Sequence, residues 1–209
     1  MPVAQRTQTE LEHDNRDLRV RVWQLIEEGQ GLRTQLQERD QRIKQLEGMV
    51  YIDPLTKIGN RWRFEEELEK LQHSSERFCL AMIDLDDLKQ INDRHGHEGG
   101  DEVLEKLGII LMEECGGNEL VTRIGGDEFC IFLRDCTREE AHTYLDNLRI
   151  RIAEQLTITT DEEQEVHFSV SVGAAEHQAG ESRKSLRRRA SAALKRAKED
   201  GKNRVVRAA

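Results

Sequence analysis

A seven-residue apolar repeat runs through roughly the first quarter of this 209-residue chain and limits what the rest can do. Leu11, Leu18, Leu25, Leu32, Arg39 and Leu46 form one series, and Asn15, Val22, Gly29, Leu36, Ile43 and Val50 form another, four residues out of phase. Nine of these twelve positions are apolar, and Glu, Gln, Arg and Asp fill most of the sequence between them. A stripe that narrow fits a two-stranded coiled coil with leucine at one seam position and Val or Ile at three sites of the other. Asn15 on the seam favours a parallel dimer in one register, at some cost in stability. Gly29, with Gly31 beside it, and Arg39 interrupt the seam. An interior glycine costs a helix about 1 kcal/mol, so a weak point is expected there. The competing reading is a single amphipathic helix folded back on the rest of the chain, which would not need a seven-residue period. The expectation is a dimeric helical stalk over residues 1–50 and one ordinary domain over residues 51–209.

Charge narrows the partners. The chain carries 32 Lys and Arg against 41 Asp and Glu, a net charge of -9. Up to Ile52 the two signs nearly balance, so the excess acid lies in the C-terminal domain. A phosphate-backbone binder needs the opposite sign, and no nucleic-acid partner is expected. The first residues lack an apolar signal-peptide core, and the longest apolar stretch, Leu107 to Met112, is far too short to cross a bilayer. A cytoplasmic protein without membrane insertion is expected. Cys79, Cys115, Cys130 and Cys136 show no CxxC spacing, which suits unbridged thiols in a reducing compartment better than a zinc site.

Beyond the stalk, Asp53-Pro54 ends the helix, because proline disfavours helix in the residue before it. Phe64, Leu68 and Leu71 then mark a helix, and Phe78 to Ile83 a buried strand that ends in acid. Val103, Leu104, Leu107 and Leu111 mark a second helix, and Arg138 to Leu156 a third. Glu119–Ile124 and Glu128–Leu133 flank Gly125-Gly126-Asp127 as a hairpin. Val166, Phe168, Val170 and Val172 alternate with His167, Ser169 and Ser171, which predicts one strand with a polar face. Leu186, Ala190, Ala193, Leu194 and Ala197 stripe the last helix, Gly201 suits its cap, and Val205-Val206 close the domain. The pattern is α+β, with helices packed on a mainly antiparallel sheet. The basic run Arg183 to Arg189 reads first as a solvated helix face.

Two places combine carboxylates with a permissive backbone: Asp84-Leu85-Asp86-Asp87 at a strand end, and Gly125-Gly126-Asp127-Glu128 in the hairpin. Carboxylates on neighbouring strand ends can converge on a hard cation that keeps phosphate oxygens in its remaining positions. Paired glycines admit positive φ and let a phosphate approach the main chain. Either feature alone reads more readily as a polar turn or an acidic loop.

Together they carry a resemblance. Arg123-Ile124-Gly125-Gly126-Asp127-Glu128-Phe129 resembles the signature of the GGDEF family of diguanylate cyclases. Asp84 through Asp93, followed by Gly96-His97-Glu98-Gly99-Gly100-Asp101, is similar to that family's second block. Asp53-Pro54-Leu55-Thr56 with Asn60-Arg61 resembles its entry motif, and Lys198 with Gly201 and Asn203 its exit motif. The likeness covers about residues 52 to 207 in order. It implies a nucleotide-cyclase-like sheet surrounded by helices. It also implies condensation of two GTP into cyclic di-GMP and two pyrophosphates, with Mg²⁺ or Mn²⁺ as cofactor.

The roles implied by the resemblance fall on particular residues. Asp84 and Asp127 would hold the metal, with the Leu85 carbonyl as a further ligand. Asn92 and Asp101 would read the guanine edge. Leu88, Lys89 and the Gly125-Gly126 main chain would line the triphosphate, and Lys198 and Lys202 would neutralise its terminal phosphates. Glu128 would tune Lys89 or a second cation, and Asp127 is the side chain most suited to accept the proton of the attacking 3′-hydroxyl. Asp127, Glu128 and Lys89 are therefore the catalytic candidates. One domain holds one GTP, so two half-sites must face each other, and a homodimer through the stalk would supply that.

Departures from the family pattern set further expectations. Gly116-Gly117-Asn118-Glu119 stands where the family's product-inhibition site has Arg-x-x-Asp, so feedback by that route is expected to be lost. Lys202 replaces an arginine, Leu88 a phenylalanine, Lys57 a glycine, and Ser191 and Lys195 an aspartate and a tyrosine. No metal ligand or base-reading residue is missing, which weighs against the alternative of an inactive nucleotide-binding receptor or scaffold. With no sensory module fitting before the domain, input is expected from a regulatory protein that packs on the stalk near Gly29. Biofilm and motility control enter by family analogy alone.

Overall fold

Among the described residues the longest uninterrupted burial runs through one strand, β1 (Phe78–Leu85), whose eight residues are all buried. A strand buried on both faces needs helices on both sides, and the sequence supplies two pairs. The computed structural model describes residues 21–23, 25–39, 50–159 and 165–208. The chain divides into two compact units, Met1–Met49 and Val50–Ala209.

In the first unit residues 25–39 form helix α1, unbroken through Gly29 and Gly31. Leu25, Leu32 and Leu36 on it are each more than half exposed, as is Val22 ahead of it. The seam positions Leu11, Asn15, Leu18, Ile43 and Leu46 lie outside the described residues. In the second unit the order is α2 (Arg61–Gln72), β1, α3 (Leu88–Glu114), β2 (Leu120–Arg123), β3 (Glu128–Arg134) and α4 (Arg138–Gln155). There follow β4 (Thr157–Thr159), β5 (Glu165–His167), β6 (Val170–Glu176), α5 (Arg183–Glu199) and β7 (Val205–Arg207).

The main sheet runs β2-β3-β1-β6-β7. β1 is antiparallel to both β3 and β6, and β7 alone runs parallel, beside β6. This is the expected α+β architecture with a mainly antiparallel sheet. Cys79, Ala81, Ile83 and Leu85 of β1 pack with Phe129 and Ile131 of β3 under Val103, Leu107, Leu145 and Leu148 of α3 and α4. Phe78, Leu80, Met82 and Phe132 face the other way, onto Phe64 and Leu68 of α2 and Leu186 and Ala190 of α5. Alternation along β1 thus builds two cores from one strand.

One sequence expectation is corrected here. Residues 166–172 do not make a single strand. Glu165–His167 pairs with Thr157–Thr159 in a separate two-stranded sheet, while Val170–Glu176 joins the main sheet and is buried on both faces. The period of two is real, but small residues and a hydrogen bond, rather than solvent, explain the second face. Ser171 donates to buried Asp86, and Gly173 lets α5 approach until a Cβ there would stand 2.1 Å from the Leu194 nitrogen. The basic run on α5 is also less solvated than expected, since Arg183, Arg187 and Arg189 pair with Glu69, Glu65 and Glu181.

Candidate active site

The site begins where β1 ends. Asp84 lies opposite Glu128, the first residue of β3, and the Leu85 N–H donates to the Asp127 carbonyl at 3.3 Å. The strand end and the hairpin are therefore sewn together by the sheet itself. Arg123 shapes the hairpin from the side: its guanidinium donates to the Gly126 carbonyl at 2.8 and 3.1 Å and pairs with Asp53 at 3.0 Å. Asp53 also accepts from the main chain and hydroxyl of Thr56, which ties the entry motif to the hairpin. Neither Gly125 nor Gly126 takes up the positive φ that glycine permits. Gly126 instead leaves the main chain bare, with nothing within 4 Å of the place a Cβ would occupy.

Asp84 is 5% exposed and its carboxyl is pushed up to about 6. Burial is the main cause; Lys198 opposes it, and the charges of Asp127 and Glu128 add to it. Lys198 Nζ sits 2.6 Å from Asp84 Oδ1. Three carboxylates from two strand ends thus share one corner with one lysine from α5, an arrangement short of positive charge. No three His, Cys, Asp or Glu side chains form a ready-made metal group among the described residues. The expected donor set is two carboxylates and a main-chain carbonyl, which is all oxygen. Such a set fits a hard divalent cation whose remaining positions go to water or phosphate oxygens.

The second half of the site is α3. Asp87 starts it in the left-handed region, φ 63, and Gly96, at φ 70 and ψ 179, breaks it. The break brings the two halves side by side. A Cβ on Gly100 would lie 1.9 Å from Asn92 Oδ1 and 3.3 Å from Leu88 Cδ1, so only glycine allows these residues to meet next to Asp101. Asn92 and Leu88 are half-buried, while Asp101 and Lys89 are exposed. Lys202, φ 60, reaches back to Asp87 with Nζ 2.6 Å from Oδ1. The structure therefore gathers Asp84, Leu85, Asp127, Glu128 and Lys198 in one corner, and Leu88, Asn92 and Gly100 in a second. Lys202 is held by Asp87 at the start of α3.

Asp86 is the residue whose part the sequence reading missed. Its carboxylate accepts from Ser169 and Ser171 at 2.7 Å and from the Asn203 N–H at 3.1 Å. It clamps the start of β6 and the loop carrying Lys202 to the β1 exit. The alternating serines were the available signal, read only as the polar face of one strand. Lys57 takes φ 62 where the family has glycine, so that departure leaves a side chain in a conformation that favours none.

No helix among the described residues is long and apolar enough to cross a membrane. The family described as "Diguanylate cyclase, GGDEF domain" matches residues 50–204. Diguanylate cyclase DgcM of Escherichia coli strain K12 is 35% identical over 173 residues, covering 81% of this chain and 41% of that protein. Diguanylate cyclase DosC of the same strain is 31% identical over 197 residues, covering 92% and 42%. The chain thus spans less than half the length of these curated relatives. Among solved structures, the coiled coil and GGDEF domain of DgcB from Caulobacter crescentus, in complex with c-di-GMP, is similar with a TM-score of 0.76. Its identity is 28%, over 84% of this chain and 94% of that one. Diguanylate cyclase SiaD from Pseudomonas aeruginosa, in complex with its activator SiaC, is similar with a TM-score of 0.74. Its identity is 30%, over 96% and 80%.

Proposed function

The chain belongs to the GGDEF diguanylate cyclase family, and on that premise we propose that it condenses two GTP into cyclic di-GMP and two pyrophosphates across a homodimer. The observation that carries this reading is the corner where buried Asp84 meets the charges of Asp127 and Glu128. Asp84, Asp127 and the Leu85 carbonyl would hold Mg²⁺ or Mn²⁺ there, and the cation would supply Lewis acidity toward the 3′-hydroxyl and neutralise phosphate charge. Everything else is positioning and electrostatics, which is what in-line phosphoryl transfer requires.

Asn92 and Asp101 hydrogen-bond the guanine edge, an amide and a carboxylate matching its acceptor and donors. The bare main chain at Gly126 lets phosphate oxygens approach the Gly125-Gly126 amides. Leu88 excludes water along the ribose and triphosphate, Lys89 adds charge, and Lys198 turns from Asp84 toward the terminal phosphates. Lys202 gives charge without an arginine's forked contact. Glu128 holds Lys89 or a second cation in place, and Asp127 takes the proton of the attacking hydroxyl.

The half-exposed leucines of α1 support a stalk that pairs with a second copy and brings two half-sites together. A regulatory protein that packs on this stalk would set the angle at which they meet, in a cytoplasmic second-messenger pathway. Product inhibition through the usual arginine is absent, because Gly116 stands in its place and Glu119 is occupied with the Gly117 N–H at 3.0 Å. The test is product analysis after incubating purified protein with GTP and Mg²⁺. Cyclic di-GMP is expected from the wild type and none from Asp127→Ala. An unchanged turnover in that variant, or tight GTP binding without product in the dimeric wild type, overturns the reading.

A further inference from the structure

At the opposite end of β1 from Asp84, two thiols meet. Cys79 lies across the ladder from Leu133, and Cys136 follows just after β3 ends at Arg134. Asp135 turns the chain back with φ 50, its N–H bonded to the Arg77 carbonyl at 2.9 Å. That turn folds Cys136 over the same sheet face to which Cys79 and Leu133 point, and all three join one apolar cluster. The Cys136 thiol donates to the Leu133 carbonyl oxygen at 3.6 Å, which seats its sulfur beside the residue that faces Cys79 across the ladder.

The two cysteines have unlike surroundings. Cys79 is 1% exposed. Cys136 is half-buried and lines an open cavity of about 330 Å³ with Glu119, Arg134, Glu140 and Tyr144. It immediately precedes Thr137, the N-cap of α4. The neighbouring Cys136 thiol, with burial, raises the Cys79 thiol, while the neighbouring Cys79 thiol holds Cys136 below its ordinary range. The other thiols differ. Cys130 is fully buried, and Cys115 accepts a hydrogen bond from Tyr144 Oη at 3.3 Å in the core.

We propose that Cys136 and Cys79 form a peroxide-reactive dithiol, with Cys136 as the attacking sulfur and Cys79 as the resolving one. The Cys136 thiolate attacks one oxygen of hydrogen peroxide, the O–O bond breaks, and hydroxide leaves to take up a proton as water. The resulting sulfenic acid is attacked by the Cys79 sulfur; the S–S bond forms, the S–O bond breaks, and the Cys79 proton departs with the oxygen as a second water. Two thiols are oxidised, one peroxide is reduced to two waters, and a dithiol reductant reverses the change. The bond draws the sulfurs to about 2.05 Å and pins the start of α4 to β1.

The full chain, treated with stoichiometric hydrogen peroxide and alkylated under denaturing conditions, tests this by peptide mapping. The expected result is a Cys79–Cys136 linked peptide, a fall in free thiols from the four present to two, and restoration by dithiothreitol. Cys136→Ser is expected to lose thiols at least about tenfold more slowly. Cys79→Ala is expected to accumulate a sulfenic acid on Cys136 that dimedone captures. The wild-type map stands whether or not that buried variant folds. A bond from Cys136 to Cys115 or to a second chain, or reaction at Cys115 or Cys130 with Cys136 untouched, overturns the proposal. So does Cys136→Ser losing thiols as fast as the wild type.

Discussion

Asp84 and Asp86 leave the same strand end, each 5% exposed, and the regions they enter treat them in opposite ways. On the side of the sheet neighbour β6, Asp86 is supplied with two hydroxyls and a main-chain N–H, which share its charge through short bonds. On the hairpin side, Asp84 meets Asp127 and Glu128 with Lys198 as its counter-charge, and its carboxyl is pushed up to about 6. Burial alone therefore does not tell a structural carboxylate from a reactive one. What separates them is whether the fold surrounds the carboxylate with several donors or with further acids and a single lysine.

The largest expected effect breaks or keeps this comparison directly. Asp84→Asn is expected to lower cyclic di-GMP formation by about a thousandfold or more, roughly 4 kcal/mol in the barrier, with the metal-free fold as stable as the wild type or more so. Chemical denaturation alongside product assay checks both parts. A variant that unfolds easily would place Asp84 in the same class as Asp86. Asp86→Ala should do the reverse, costing about 3 kcal/mol of stability because Ser169, Ser171 and the Asn203 N–H lose their acceptor. Its activity per folded molecule should fall far less than that of Asp84→Asn.

The pH dependence sharpens the same contrast. Asp84 has an ordinary value of 3.8 and a folded value of about 6, so the folded state holds its proton more tightly. That contribution is full below about pH 4 and disappears as pH rises through 6. Metal-free protein should lose up to about 3 kcal/mol from this group over that window. The difference in denaturation midpoint between wild type and Asp84→Asn isolates it, and added Mg²⁺ should reverse the loss. An identical pH slope in the two proteins would remove the electrostatic half of the comparison. A smaller effect is expected for Ser171→Ala, which takes one of Asp86's donors and should cost about 1 to 2 kcal/mol. Its neighbour Ser169 is half-buried rather than buried, so Ser169→Ala should cost less.

Much of this was legible in the residues. Phe64, Leu68 and Leu71 at helical spacing gave α2, the run from Phe78 gave β1, and the Gly125-Gly126 break separated β2 from β3 within a residue or two. These are signals between near neighbours, and local sterics and burial periodicity decide them. The four blocks that carried the family resemblance were likewise readable, because their residues keep fixed order and spacing. Less legible were Phe168 and Ser169, where one alternating run divides between two sheets. The run itself holds no sign of where the partner strand changes. Arg123 was read as part of a motif, yet its bonds to Gly126 and to Asp53, seventy residues earlier, could be found only in the fold.

By itself the sequence determined most of the helices and the strands on either side of the hairpin, that the acids of residues 84–87 and 125–128 lie at strand ends, and which family the chain resembles. Only the tertiary structure decided that Asp84 would face other acids while Asp86 found donors, and that Cys136 would fold back over Cys79. The reason is that an ionisable or nucleophilic side chain takes its character from groups brought beside it across the sheet, and those partners lie tens of residues away in the chain.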